Sequence, residues 1–142
     1  MKKKRYLAIG LITIIVFFSI KTYSDYREKE LNDVISYNSS EFKSMDFKFQ
    51  GDESWKTNES ENVEELIEFL GQYEVKKMRN SWWDGDVSKE KGFDISIYSK
   101  DNRIMASIYE NRLLFFGNGD AYKVLNGPID MDWVQEYNER NQ

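Results

Sequence analysis

The sequence predicts an α+β fold: an N-terminal transmembrane helix and stalk, then a mostly antiparallel sheet with two helices packed on one face. Three patterns support this prediction. A strongly apolar run occupies positions 7–20, apolar and polar residues alternate as in strands between positions 93 and 125, and apolar residues with helical spacing lie at 63–70 and 129–137. Four strands joined by three short turns make an antiparallel meander, and helices covering one face of such a sheet are typical of α+β domains.

The apolar run is the predicted membrane anchor, within a signal anchor at residues 1–23. A spanning helix needs about 17–20 apolar residues. The run reaches this length when Tyr6 and residues 21–23 are included, with the Lys21 ammonium reaching the interface. The residues predicted to form the membrane anchor are Leu7, Ile9, Leu11, Ile12, Ile14, Ile15, Val16, Phe17, Phe18 and Ile20.

Basic residues beside the run predict its orientation. Four of them, at positions 2–5, precede it without any acidic residue, whereas Lys21, Arg27 and Lys29 follow it among acidic residues. Lys and Arg close to a span stay in the cytoplasm, so we predict a single-pass cell-membrane protein with its C-terminal domain outside. The alternative is a signal peptide cleaved after Ser24, which would release the domain from the cell. A buried core helix would leave the basic flank unexplained.

The rest of the chain is predicted to form a juxtamembrane helical stalk at residues 24–40 and an extracytoplasmic α+β domain at 41–142. The domain begins with a strand at residues 42–50 and a polar loop at 51–60 around Trp55. A helix with apolar spacing follows at 63–70. Asn62 and Glu65 fit a capping box at its start, and Gly71 follows its end.

A weaker strand at residues 73–79 and a polar loop at 80–91 precede the meander. The meander strands are predicted at 93–98, 103–109, 112–116 and 121–125, separated by turns rich in Gly, Asn and Asp. Asp130 is predicted to cap a final helix whose apolar face carries Trp133, Val134 and Tyr137.

The charge of the domain excludes some partners. Residues 1–21 hold five of the twenty Lys and Arg residues and no acidic residue, so the remainder has fifteen basic and twenty-five acidic residues, a net charge of −10. This charge disfavours nucleic acid and anionic lipid as partners of the domain and favours cationic ones. The predicted partners are the membrane, through the N-terminal helix, and an unidentified protein or peptide.

The chain contains neither Cys nor His. Zinc sites, Ser-His-Asp triads and Cys-His pairs are therefore excluded, and no disulfide can stabilise the domain. Glycine motifs for nucleotide binding are also missing from the sequence. We predict a protein that is not an enzyme and that needs no cofactor or metal.

The sequence Trp-Trp-Asp-Gly-Asp at residues 82–86 is the predicted binding site. Two adjacent Trp side chains in an extended polar loop cannot both face one core, so at least one ring is expected at the surface. Trp82, Trp83, Asp84 and Asp86 are the predicted binding residues, because Trp rings bury a large area at low entropic cost. The alternative is that both rings close the end of a small core.

The order of elements from Phe42 to Tyr137 has three recognisable parts. They are an apolar strand before a capped helix, the sequence Phe-Asp-Ile-Ser-Ile-Tyr at 93–98 within the meander, and Tyr122-Lys123-Val124 before a short acidic helix. This order resembles small exported or membrane-anchored domains of unknown function from Gram-positive bacteria. Most such families are lipoproteins, and this chain departs from them because it has no Cys. The resemblance assigns no functional residues.

Together these patterns predict a membrane-anchored extracytoplasmic binding or interaction module. Two alternatives stay open. An immunity-type protein that neutralises a cationic toxin or peptide at the membrane would explain the acidity of the domain. A cell-wall polysaccharide hydrolase would use a pair of the carboxylates in or beside loops, at Asp84, Asp86, Glu90, Asp101, Glu110 and Asp120.

Overall fold

One antiparallel sheet and four α-helices make up the protein, in a computed structural model that describes residues 2–79, 87 and 89–142. The helices are α1 (Lys2–Tyr26), α2 (Leu31–Ile35), α3 (Ser60–Leu70) and α4 (Met131–Asn141). The strands are β1 (Lys29–Glu30), β2 (Phe42–Phe49), β3 (Trp55–Thr57), β4 (Glu74–Lys77), β5 (Gly92–Ser99), β6 (Arg103–Tyr109), β7 (Arg112–Phe115) and β8 (Ala121–Val124). Their order across the sheet is β1-β4-β8-β7-β6-β5-β2-β3. The predicted α+β class is confirmed.

The predicted four-strand meander is confirmed as β5 to β8. Each of these strands pairs with the next in antiparallel register. On the core face Phe93 lies opposite Ile108, and Ile108 lies opposite Leu113, which in turn lies opposite Tyr122. All four side chains are buried. This apolar row across the strands explains why period-two alternation is clearest here.

The sheet is larger than the predicted four-strand meander, because strands extend it on both sides. Two of them, β2 and β4, correspond to the strands predicted at 42–50 and 73–79, and β1 and β3 were not predicted. β2 pairs with β5 and β3 pairs with β2, whereas on the other side β4 pairs with β8 and β1 pairs with β4. The prediction of a continuous loop at 51–60 is wrong at β3. The Trp55 ring packs on Phe47 with 5.2 Å between the centroids, so a long-range contact forms this strand. Three residues are too few for alternation to reveal a strand in the sequence.

The prediction that a helix continues through residues 24–40 is also wrong. α1 ends at Tyr26, and β1 then joins the edge of the sheet with Lys29 opposite Val75. α2 follows and buries Leu31 and Ile35 in the core of the domain. These two residues are four positions apart and therefore share one face of a single helical turn. Residues 29–35 thus pack as part of the domain, and few residues separate the domain from α1.

α3 and α4 pack against β2 with their apolar faces. The Asp130 cap of α4 is confirmed, since its Oδ1 accepts hydrogen bonds from the backbone N–H groups of Asp132 (3.1 Å) and Trp133 (3.2 Å). The capping box predicted for α3 is wrong, because α3 already begins at Ser60. Instead, the Thr57 hydroxyl accepts hydrogen bonds at this end from the Glu59 backbone N–H and the Asn62 amide.

Candidate functional site

The predicted binding residues Trp82, Trp83, Asp84 and Asp86 lie outside the described residues. The prediction of an aromatic binding loop therefore stays a prediction. Of the other loop carboxylates, Glu90 forms an ion pair with Arg112, and Asp120 forms one with Lys77. Among the residues that the structure describes, no group of three or more acidic side chains is arranged to hold a metal ion.

The predicted anchor residues lie on α1 and are all exposed. The ten apolar side chains from Leu7 to Ile20 are between 50% and 76% exposed, although side chains of this kind are usually buried in a globular protein. The apolar segment Tyr6–Tyr26 has 21 residues, which at 1.5 Å per residue is about 30 Å, the thickness of a bilayer's hydrocarbon core. The helix is therefore long and apolar enough to span a membrane or to act as a signal anchor.

A cleft of about 970 Å³ lies where the C-terminal end of α1 meets β4 and β8. We call it the basic cleft, because Arg27, Lys76, Lys77, Arg79 and Lys123 contribute to its lining, together with Glu28. The cations come from three separate parts of the chain: the link after α1, the end of β4 and the middle of β8. The fold therefore creates a local excess of positive charge in a protein with a net charge of −5.

Strand register places two of these cations side by side. Lys76 lies directly opposite Lys123 in the β4–β8 pair. The neighbouring residues Val75 and Tyr122 are buried on the core face, so the two lysines lie on the opposite face of the sheet. Like charges directly opposite each other destabilise a sheet. This pair is therefore a position at which a bound anion would add stability.

Lys77 differs from the other cations of the basic cleft because it has a partner. Its ammonium lies 2.8 Å from a carboxylate oxygen of Asp120, and this hydrogen bond raises the pKa of Lys77. Within the described part of the chain, Arg27, Lys76, Arg79 and Lys123 form no ion pair. Of these four, Arg79 lies over the Tyr26 ring, and Arg27, Lys76 and Lys123 are left to interact with a ligand or with solvent.

A cation–π contact joins the two walls of the basic cleft. The guanidinium carbon of Arg79 lies 5.3 Å from the centroid of the Tyr26 ring, and Tyr26 is the last residue of α1. Contacts of this type contribute about 0.5–1 kcal/mol at exposed sites. The contact joins the end of α1 to the residues that follow β4.

An apolar groove on α1 adjoins the basic cleft. This shallow, open groove of about 530 Å³ is lined by Ile14, Ile15, Phe18 and Ser19, and Thr22 and Tyr23 line both the groove and the cleft. The two shared residues make the surface continuous, from charged side chains beside the domain to apolar side chains along α1. Such a surface matches an amphiphilic ligand.

The basic cleft was not predicted from the sequence. Averaging charge over the domain hides it, because the acidic residues outnumber the basic ones. A local indication was present in Lys76, Lys77 and Arg79, three cations within four residues that no acidic residue interrupts. Only the pairing of β4 with β8 adds Lys123, and only the position of α1 adds Arg27.

Comparisons with family models, with curated proteins and with solved structures find no match to this chain. The resemblance to small Gram-positive domains therefore stays an expectation from the order of elements.

Proposed function

We propose that the protein is a single-pass membrane protein with an extracytoplasmic binding module, and that the basic cleft is its binding site for an anionic group. One observation carries this proposal. Four cations without ion-pair partners in the described part of the chain converge where an exposed apolar helix meets the domain. Guanidinium and ammonium groups donate several hydrogen bonds, and their natural partners are phosphates and carboxylates.

The net charge of the domain does not oppose this proposal. Charges at a protein surface act over about 8–10 Å at physiological salt, so a ligand responds to the nearest side chains and not to the total. Seven of the twenty-five acidic residues lie on α3 and α4, which pack over β2, whereas the basic cleft beside β4 and β8 brings five cations together with Glu28 and, paired to Lys77, Asp120. The expectation of cationic partners, drawn from net charge, is therefore replaced by that of an anionic ligand at this cleft.

The proposed orientation follows from the cations closest to the span in sequence. Residues 2–5 are all basic, and only residues within about 15–20 positions of a span contribute to the charge comparison that sets its orientation. The lysines of β4 and β8 are far beyond this distance in sequence. They reach the membrane side only after the domain has folded, so they support binding without opposing export.

The location is tested by protease treatment of intact cells, with an antibody against the C-terminal helix α4. We expect the full-length protein in the membrane fraction after alkaline extraction, and we expect external protease to degrade it. A shortened protein in the medium would show that α1 is a cleaved signal peptide. Degradation only after the membranes are opened would contradict the proposed orientation.

A further inference from the structure

We propose that the basic cleft and the apolar groove together bind one anionic glycerophospholipid of the surrounding bilayer. Its phosphate would lie among the cations of the cleft, and one acyl chain would lie along α1. This inference rests on the proposed function, because it names the ligand of the same site.

The position of the cleft relative to the membrane supports a lipid headgroup as its ligand. Thr22, Tyr23 and Tyr26 line the cleft and lie at the end of the apolar segment Tyr6–Tyr26. A segment of this length reaches across the hydrocarbon core, so its last turn lies among the headgroups. Tyr side chains are enriched at this level of a membrane. The cations of the cleft therefore face the layer that contains lipid phosphates.

The arrangement of the cations supports a phosphate group as the part of the ligand that they bind. Lys76 and Lys123 lie opposite each other with no carboxylate paired to either in the described part of the chain, and an oxyanion between them would relieve their repulsion. Arg27 and Arg79 add two guanidinium groups, which bind phosphate oxygens through paired hydrogen bonds. Basic pockets beside membrane helices are suited to anionic lipid headgroups.

The groove is what distinguishes a lipid from a soluble anion. A free phosphate would need the basic cleft alone. Thr22 and Tyr23 connect this cleft to an apolar surface formed by Ile14, Ile15 and Phe18, and that surface follows the direction of a lipid chain along the anchor helix. A phosphate joined to an acyl chain would fill both parts.

The test uses full-length protein in nanodiscs that contain equal amounts of phosphatidylglycerol and phosphatidylcholine. Native mass spectrometry of the released protein should find phosphatidylglycerol retained in preference to phosphatidylcholine. The variant Lys76→Gln/Lys123→Gln should bind phosphatidylglycerol about 30-fold more weakly, the effect of losing two cation contacts at a membrane surface. Its folding is not expected to suffer, because it removes two like charges that face each other.

The control variant is Lys43→Gln/Lys100→Gln, which makes the same change in charge at exposed lysines outside the basic cleft. Its lipid retention should equal that of the natural protein. Equal retention of phosphatidylglycerol by the Lys76→Gln/Lys123→Gln variant and the natural protein would overturn the assignment of the lipid to this cleft.

A second titration separates a lipid from a soluble anion. Detergent-solubilised full-length protein is titrated with dihexanoyl phosphatidylglycerol and with inorganic phosphate, and we expect much tighter binding of the lipid. If inorganic phosphate binds as tightly, and the Lys76→Gln/Lys123→Gln variant loses both, the lipid inference fails while the proposed anion site stands. If neither probe binds, both proposals fail.

Discussion

At the scale of single residues, one buried amide connects three parts of the domain. Asn138 on α4 is 1% exposed. Its Oδ1 accepts a hydrogen bond of 2.8 Å from the Trp55 indole N–H, and its Nδ2 donates one of 2.8 Å to Asp52. The neighbouring Tyr137 hydroxyl donates to the backbone carbonyl of Asn62 (2.7 Å). These bonds fix α4 to β3 and to α3, and they allow polar groups inside an aromatic cluster.

Replacing this amide should destabilise the domain. Asn138→Ala removes the acceptor of the Trp55 indole N–H, and a partly buried donor without an acceptor costs about 1–3 kcal/mol. We expect the free energy of unfolding, measured by urea denaturation in non-ionic detergent, to fall by this amount. The control is Asn141→Ala on the same helix, which loses only a local bond to the Tyr137 carbonyl. An equal effect of the two substitutions would refute a special role for Asn138.

Stability should decrease at alkaline pH. Burial raises the pKa of Tyr137 and of Tyr122, and the hydrogen bond to Asp120 raises the pKa of Lys77. These groups keep their protons in the folded state above pH about 10, where the unfolded chain loses them. The stabilisation is therefore complete below pH about 10 and falls as the pH rises further towards the folded-state pKa values.

Unfolding midpoints measured across this alkaline range test the pH prediction. Tyr137→Phe should flatten the decrease, because phenylalanine packs in the same space and has no proton to lose. Stability that stays constant or increases above pH about 10 would contradict the assigned directions of the pKa changes.

At the scale of elements, close packing against the end of α3 holds the five-residue helix α2 in position. α3 ends at Leu70, and the following Gly71 has φ −63°, so it is not in the left-handed conformation expected of a C-cap glycine. A Cβ atom at Gly71 would lie 2.7 Å from the side-chain amide nitrogen of Asn32 on α2. The close approach of α2 therefore leaves little room for a side chain at Gly71 unless the Asn32 amide shifts, and the turn itself does not require glycine.

The short helix α2 should contribute strongly to stability. Leu31 is fully buried, and Leu31→Ala is expected to lower the free energy of unfolding by about 2–5 kcal/mol through lost contacts and a cavity. Chemical denaturation of the full-length protein in detergent micelles measures this change. The adjacent exposed residue offers a control, since Glu30→Ala should stay within about 0.5 kcal/mol. If residues 24–40 instead formed a stalk independent of the domain, neither substitution would change the free energy of unfolding.

At the scale of the whole molecule, the folded chain separates its charges. Seven of the twenty-five acidic residues lie on the helices over β2, whereas five cations gather in the basic cleft beside the end of α1, with Glu28 and Asp120 as the acidic residues next to them. The few residues between α1 and β1 leave the domain little freedom to move away from α1. The cation–π contact between Arg79 and Tyr26 restricts it further. Both proposals rest on this arrangement of anchor, cleft and groove.

The sequence by itself determined the features that depend on neighbouring residues. The apolar helix, the meander of β5 to β8 and the Asp130 cap of α4 were all predicted, since periodicity and capping involve residues a few positions apart. These features determine the α+β class of the fold and the apolar helix at its N-terminal end.

Only the tertiary structure decided the features that depend on distant partners. β1 and β3 are too short to show alternation, and each exists because a longer strand pairs with it. The burial of α2 depends on what covers Leu31 and Ile35. The basic cleft joins Arg27, residues 76–79 and Lys123, which no local pattern connects. Strand pairing over long sequence separations creates these contacts, so the charge that a ligand meets cannot be read from the composition of the chain.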